Sequence, residues 1–258
     1  MQEVGLNLYS IRNLIKTEEE FLETAKKLKE MGYSYMQYSG GPFEVDRIKR
    51  VSEETGMPIC LTHVKYDRIV NETETLMEEH AQFNCKNIGL GAMPIPSIID
   101  ETECKKAIEA LNLAGEKMAK NGFKFFYHHH QFEFLKHGNQ TVFDYMIENA
   151  PYINFTADTY WLQYGGVDIL STLEKLKGRI SCVHLKDYKQ TYNEETKKIE
   201  PTFSPVGEGL LNFKAIVEKL KTLGVEYYLV EQDNAALLPD TLGEVERSVK
   251  YIQKELLR

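Results

Sequence analysis

The segment INFTADTYWLQYGGVDILSTLEKLKGRISCVHLKD, residues 153–187, contains the pattern that decides the fold. Two β-prone runs, INFTAD (153–158) and ISCVHL (180–185), flank a stretch whose apolar residues have helical spacing. The same alternation repeats along the chain, with further β-prone runs at residues 4–9, 33–38, 59–63, 87–91, 123–128 and 226–231. A strand–helix order that repeats without interruption is typical of a parallel sheet.

Eight strand–helix units fit one closed barrel better than an open sheet or two domains. The chain has 258 residues, no Pro-, Gly- or Ser-rich linker divides it, and a (β/α)8 barrel needs roughly 250 residues. An open doubly wound sheet that binds a nucleotide usually carries GxGxxG after its first strand, whereas here Tyr9-Ser10-Ile11-Arg12 follows. We therefore predict a single TIM-barrel domain over residues 1–258 with eight parallel strands.

Two helices have recognisable starts. Thr17 and Glu20 have the spacing of a capping box, and Gly32 suits the end of the same helix. Thr241 and Glu244 repeat that spacing before the apolar stripe that runs to the C-terminus, which predicts a second capping box.

Composition excludes several classes of function. Lys and Arg number 31 against 39 Asp and Glu, a net charge of −8, which disfavours a general nucleic-acid binder. No apolar run approaches the roughly 18 residues of a membrane span, so we expect no membrane partner and a cytoplasmic protein.

The turn Gly207-Glu208-Gly209 contains no Lys or Arg and is interpreted as a structural loop. Four scattered cysteines, at 60, 85, 104 and 182, are expected to be free buried thiols.

Acidic and imidazole side chains gather where the predicted strands end, which in a TIM barrel is where the chemistry takes place. Glu133 follows the fifth run and Asp158 ends the sixth, while His184 and Glu231 stand at the ends of the seventh and eighth. Three acids brought together resist ionisation unless a cation lies among them. One divalent metal ion resolves this, and oxygen ligands with one nitrogen suit Mn²⁺, Mg²⁺ or Co²⁺, with Zn²⁺ also compatible.

Other polar and aromatic side chains at the strand ends are candidates for substrate binding. His128 and His130 have the same parity in strand five, with His129 between them expected to face the helices. A lysine beside the acids could neutralise the site, and the single tryptophan could form an apolar wall against a sugar. The predicted substrate contacts are His63, His128, His130, Trp161 and Lys186.

The order of these motifs resembles the xylose-isomerase-like TIM barrel superfamily, in particular its sugar phosphate isomerase/epimerase group. The motifs are LNLYSIR (6–12), YHHHQFEF (127–134), ADTYW (157–161), RISCVHLKD (179–187), VGEGLLNF (206–213) and YYLVEQD (227–233). The resemblance implies one divalent cation held by Glu133, Asp158, His184 and Glu231. It also implies that barrels pair into a homodimer or homotetramer.

Isomerisation or epimerisation of a small keto-sugar, or of a related polyol carbonyl compound, is the function we predict. Removing a proton next to a carbonyl needs a base near the carbon and positive charge near the oxygen, where an enediolate develops. Glu133 and Glu231 are the predicted catalytic residues, one removing the proton and the other returning it. The partner is thus a small-molecule sugar.

Three alternatives stay open. The same enolate expels a β-hydroxyl in a lyase or dehydratase of the inosose dehydratase type. An endonuclease IV-like AP endonuclease shares the barrel, but seven histidines leave little for its multi-metal centre and a net charge of −8 provides no DNA footprint. A barrel that binds sugar without turnover is the third.

Overall fold

Eight parallel strands close into a barrel in the computed structural model, which describes residues 3–257. Each strand pairs with its sequence neighbours, and β1 closes the ring against β8. The strands are β1 (Val4–Asn7), β2 (Tyr35–Tyr38), β3 (Ile59–Val64), β4 (Asn87–Leu90), β5 (Lys124–His128), β6 (Ile153–Asp158), β7 (Ile180–Leu185) and β8 (Tyr227–Val230). The predicted (β/α)8 fold is confirmed, with β6 and β7 at their predicted limits.

Helices surround this barrel and cover its outer face. They are α1 (Glu18–Met31), α2 (Val45–Thr55), α3 (Tyr66–Asn71), α4 (Thr73–Gln82), α5 (Ile95–Ile99), α6 (Glu101–Lys120), α7 (Val142–Asn149), α8 (Thr159–Tyr164), α9 (Ile169–Lys175), α10 (Phe213–Thr222) and α11 (Thr241–Glu255). Three short 3₁₀ helices lie at Leu8–Leu14, Phe132–Phe134 and Ala235–Leu237. Within residues 3–257, none of the helices has the length and apolar character needed to cross a membrane.

The capping prediction is confirmed at one helix and wrong at the other. At α1 the Thr17 hydroxyl accepts from the Glu20 N–H at 3.2 Å, and the Glu20 carboxylate accepts from the Thr17 N–H at 3.1 Å. At α11 the chain turns one residue earlier, so Asp240 is the N-cap and accepts from the Gly243 N–H at 3.0 Å. The Glu244 carboxylate instead accepts from Gln232, at 2.7 Å.

An antiparallel hairpin, Asp187–Asn193 with Lys198–Ser204, follows β7 and is absent from the predicted runs. The Asp187 carboxylate anchors its base by accepting N–H groups from the turn at residues 207–211, at 3.0 to 3.3 Å. Because this carboxylate occupies those N–H groups, the turn at 207–209 is structural, as predicted. A second, two-residue hairpin pairs Lys136–His137 with Gln140–Thr141.

Two layers of side chains fill the barrel. The lower layer is apolar, and its members are Tyr35, Leu61, Phe126, Cys182 and Leu229, all buried in one cluster. Two residues further along the same strands lies the upper layer, at the mouth: Gln37, His63, His128, His184 and Glu231. A larger apolar core separates the strands from the helices. The four cysteines are free and buried, as expected.

Candidate metal centre and active site

Four buried side chains from successive strands converge at the barrel mouth. They are His128 at the end of β5, Asp158 at the end of β6, His184 on β7 and Glu231 directly after β8. Their potential ligand atoms all lie within 4.8 Å of one another. Strand register produces this convergence, because Asp158 pairs with His184 and Leu229 is the partner of His184 on the other side.

The donor atoms of this cluster fit a metal ion. His184 Nδ1 lies 2.8 Å from Glu231 Oε2 and 3.6 Å from Asp158 Oδ2, and His128 Nε2 lies 3.3 Å from the same Asp158 oxygen. Both His184 Nδ1 and Glu231 Oε2 are buried, and each faces ionisable groups of the cluster instead of a neutral hydrogen-bond partner among the described residues, as expected of atoms that can bind an ion. Two imidazole nitrogens and two carboxylates suit Mn²⁺, Co²⁺ or Zn²⁺, and Mg²⁺ through the oxygens.

The ammonium group of Lys186 places a positive charge beside this cluster. The residue is 1% exposed, and its Nζ lies 3.0 Å from Asp158, 2.9 Å from Glu231 and 3.1 Å from Asp233. Burial opposes ionisation of Asp158 and Glu231, but Lys186 and the neighbouring histidines outweigh it and hold both pKa values well below the usual range. Both carboxylates are therefore ionised, and Lys186 balances part of their negative charge.

Neutral side chains on neighbouring strands orient the cluster. Asn7, on β1, donates to Glu231 Oε1 at 2.6 Å, and Gln37 Oε1 lies 2.7 Å from His184 Nε2. His129 Nε2 accepts from the backbone N–H of Asp158 at 3.0 Å. The His129 ring packs against Phe143 of α7, so it faces the helices as expected. Such supporting hydrogen bonds fix the direction of each candidate ligand.

Glu133 lies apart from this cluster, although it was expected to be a ligand. In the 3₁₀ turn at Phe132–Phe134 its carboxylate lies outside the cluster, where it accepts from the Tyr127 hydroxyl at 2.5 Å and the His130 N–H at 2.7 Å. Burial raises its pKa to about 7. The structure thus brings Asp158, His184 and Glu231 together with His128, and Glu133 is not part of this cluster.

A cavity of about 600 Å³ opens above the cluster. Four of the five predicted substrate contacts line it, namely His63, His128, His130 and Lys186, together with Glu231 and Asp233. Trp161 does not line it. Its ring packs behind His130, at 5.1 Å between ring centroids, and against the hairpin residue Phe203. Trp161 therefore supports the imidazole that faces the cavity.

Comparison with known proteins identifies the family. A family model described as a xylose isomerase-like TIM barrel matches residues 25–255. The chain belongs to this family. An inosose dehydratase from Clostridium perfringens is 29% identical over 170 residues, which cover 61% of this chain and 57% of that protein. The match to this curated relative thus spans little more than half of its length.

Solved structures show the same xylose isomerase-like fold. A sugar phosphate isomerase/epimerase from Parabacteroides distasonis has a TM-score of 0.82 and 21% identity, over 99% of this chain and 94% of that one. A xylose isomerase-like TIM barrel protein from Mycobacterium smegmatis, in complex with magnesium, has a TM-score of 0.73 and 13% identity, over 98% and 96%. At these identities the likeness shows the fold alone.

The supporting residues of this xylose isomerase-like barrel were only partly visible in the sequence. Asn7 and Asp233 were not singled out as contributors, although both stand where a strand meets its loop. That position was the signal that identified His184 and Glu231. Gln37 and His63 carried the same signal on β2 and β3, but their hydrogen bond to each other, at 2.9 Å, depends on strand packing.

Proposed function

We propose that this chain is a divalent-metal-dependent enzyme that moves a proton on the carbon next to the carbonyl of an uncharged keto-sugar or related polyol, as an isomerase or epimerase. The buried cluster of His128, Asp158, His184 and Glu231 beneath the cavity carries the proposal. These four residues would hold the ion. When bound, a divalent metal supplies a Lewis acid that polarises the carbonyl and its neighbouring hydroxyl.

Acids that line the cavity are placed to move the proton. Glu231 and Asp233 both line it, and Lys186 Nζ lies between them at 2.9 and 3.1 Å. We assign both proton removal from the substrate carbon and return of a proton to this carboxylate pair. Lys186 donates a hydrogen bond to the substrate oxygen that gains negative charge. Glu133 does not line the cavity, and we assign it the support of the His130 backbone instead of the second proton transfer.

The charges of the cavity wall favour a substrate without a phosphate. Lys65 and Lys186 are the basic side chains among the described residues of the wall, against Asp67, Glu231 and Asp233. Lys186 is already paired with carboxylates. A phosphate would therefore meet little free positive charge, whereas hydroxyl groups find imidazole and carboxylate partners.

A dehydratase of the inosose type is the second candidate. The curated relatives support it, since the protein from Clostridium perfringens carries that name. The site also supports it, because the Lys186 ammonium lines the cavity beside the carboxylates and can give a proton to a departing hydroxyl. Both reactions begin with the same proton removal, so they differ in the fate of the enolate.

Turnover in heavy water separates the two reactions. The purified protein, stripped of metal and reloaded with Mn²⁺, Mg²⁺, Co²⁺ or Zn²⁺, is incubated with candidate keto-sugars and inososes and followed by proton NMR. An isomerase or epimerase gives a rearranged or inverted sugar that carries deuterium at the carbon next to the carbonyl. A dehydratase gives an enone absorbance and an unsaturated product. Metal binding without either product overturns both proposals.

Two matched glutamate variants locate the reaction at the mouth. Glu231→Gln removes one carboxylate charge from the cluster and should lower kcat/KM by at least roughly 100-fold. Glu226→Gln makes the same change five residues earlier on the exposed surface and should leave kcat/KM unchanged. Equal activities for the two variants would place the chemistry outside this cluster.

A further inference from the structure

Gln37 connects two imidazole rings from different strands. It lies at the mouth on β2, fully buried, with Oε1 2.7 Å from His184 Nε2 and Nε2 2.9 Å from His63 Nε2. A carboxamide has one acceptor oxygen and one donor nitrogen. The two rings therefore meet opposite ends of one amide, and the proton position on one ring determines the proton position on the other.

His184 fixes the orientation of this amide. Its Nδ1 faces the carboxylates of the cluster, 2.8 Å from Glu231 and 3.6 Å from Asp158. A metal ion bound at Nδ1 uses that lone pair and leaves the ring proton on Nε2. The Nε2–H then donates to Gln37 Oε1, which turns the amide NH₂ of Gln37 toward His63.

His63 must accept this hydrogen bond through Nε2. An Nε2–H on His63 would point one donor at another across 2.9 Å. The ring proton is therefore on Nδ1, which faces Gly91 on the cavity wall. A Cβ atom added at Gly91 would lie 3.2 Å from this nitrogen. His63 Nδ1 has no hydrogen-bond partner among residues 3–257. The ring stacks on that of His128, with the ring centroids 5.4 Å apart and the ring planes inclined by 19°.

We propose that Gln37 is a positioning residue that sets the tautomer of His63, so that His63 offers an Nδ1–H donor to an oxygen of the substrate. The substrate part rests on the proposed function, whereas the tautomer is a property of the metal-loaded protein alone. When His63 is neutral and its Nε2 accepts from Gln37, its Nδ1–H donates a hydrogen bond into the cavity. The ring then has no free lone pair with which to act as a base there. It thus recognises a carbonyl or hydroxyl oxygen next to the metal cluster.

Long-range ¹H–¹⁵N correlation NMR tests the tautomer directly. The protein carries ¹⁵N-labelled histidine and is loaded with diamagnetic Zn²⁺, and the His63 signals are identified by their loss in His63→Gln. We expect protonated Nδ1 on His63 and protonated Nε2 on His184. Protonated Nε2 on His63 would overturn the proposal.

Two substitutions of Gln37 separate positioning from metal support. Gln37→Glu offers acceptors to both rings, so it keeps the hydrogen bond from His184 but moves the His63 proton to Nε2. We expect Zn²⁺ affinity to be retained, the NMR pattern of His63 to invert and kcat/KM to fall roughly 10- to 100-fold. Gln37→Met removes both hydrogen bonds and should weaken Zn²⁺ binding roughly 10- to 100-fold, measured by calorimetry.

The outcomes distinguish this inference from the proposed function. If Gln37→Glu inverts the tautomer without changing turnover, His63 is not a donor to the substrate and the inference fails. If the parent shows Nδ1–H on His63 but converts no candidate substrate, the proposed function fails and the tautomer assignment stands. A folded Gln37→Met that binds Zn²⁺ as tightly as the parent would show that Gln37 does not orient His184.

Discussion

The lower and upper layers of the barrel occupy the same strands, two residues apart, yet differ completely in chemistry. Cys182 is followed on the inner face of β7 by His184, and Leu229 is followed by Glu231. Apolar side chains buried in the lower layer stabilise the fold by about 1.5 to 3 kcal/mol each. Charges buried in the upper layer cost desolvation and are tolerated because they pair with Lys186 and with one another.

This difference shows that one continuous barrel performs two separate tasks. The lower layer fills the barrel with apolar side chains and so contributes to stability. The upper layer carries the ionised groups and keeps them directed at a common point. Variants in the two layers are therefore expected to change different measurements, even when they lie two residues apart on the same strand.

The largest contrast is expected between His184→Ala and Cys182→Ala. The first removes a proposed ligand and should weaken Mn²⁺ binding more than roughly 100-fold, since loss of an outer partner alone costs 10- to 100-fold. The second removes one sulfur from the lower layer and should leave Mn²⁺ affinity unchanged. Calorimetric titration of both proteins checks this. Similar affinities would mean that the ion binds elsewhere.

Leu229→Ala is expected to show the opposite pattern. Leu229 is fully buried in the lower layer, so its truncation should lower the free energy of unfolding by about 2 to 5 kcal/mol. Mn²⁺ affinity of the folded protein should remain that of the parent. Urea unfolding and calorimetry provide the two numbers. A stability loss below about 1 kcal/mol would contradict the packing of the lower layer.

Glu133 gives a pH-dependent contrast with the ionised acids of the upper layer. Burial raises its pKa to about 7 from 4.5, so the folded protein binds this proton more tightly than the unfolded chain does. Its contribution to stability is thus fully present below about pH 4.5 and is lost as the pH rises through 7. The loss amounts to about 3 kcal/mol.

The glutamine in Glu133→Gln cannot ionise, so this variant should not lose unfolding free energy in this way as the pH rises. We expect the unfolding free energy of the parent, minus that of the variant, to fall by about 3 kcal/mol between pH 4.5 and pH 8, measured by urea unfolding. The buried histidines titrate in both proteins and cancel in the difference. A difference that stays constant with pH would show that Glu133 ionises as it would in water.

The smallest expected effect lies outside both layers. Thr17→Ala removes the hydroxyl that caps α1 and should lower the unfolding free energy by about 1 kcal/mol. Thr17 contacts none of the four residues of the candidate metal site, so Mn²⁺ affinity should not change. Thermal unfolding with and without Mn²⁺ checks both statements.

Much of the fold could be predicted from the sequence because it depends on local patterns. Alternation along β6 and β7 gave both limits correctly, and the capping box of α1 follows from two residues three apart. The box predicted at Thr241 was wrong because Asp240, one residue earlier, is an equally good cap, and local sequence does not choose between them. The hairpin after β7 was not found, because most of its residues are polar or charged and obscure the one face that carries Tyr188, Tyr192, Ile199 and Phe203.

The convergence of side chains at the candidate site could be predicted where they lie on strands and less well beyond them. Asp158, His184 and Glu231 have directions fixed by strand periodicity, so their convergence was visible in advance. Glu133 follows several residues after the end of β5, and the 3₁₀ turn that rotates its carboxylate toward Tyr127 depends on tertiary packing. The donation from Asn7 to Glu231 joins residues 224 positions apart, and no local pattern reports it.

Asp187 has a consequence for how this barrel can be altered. Its carboxylate fastens the base of the hairpin to the turn at 207–211, directly after Lys186. Added sequence at the exposed hairpin tip, residues 194–197, is thus mechanically separated from the mouth by that anchor. The tip is therefore a suitable attachment point for a fluorophore or an affinity peptide.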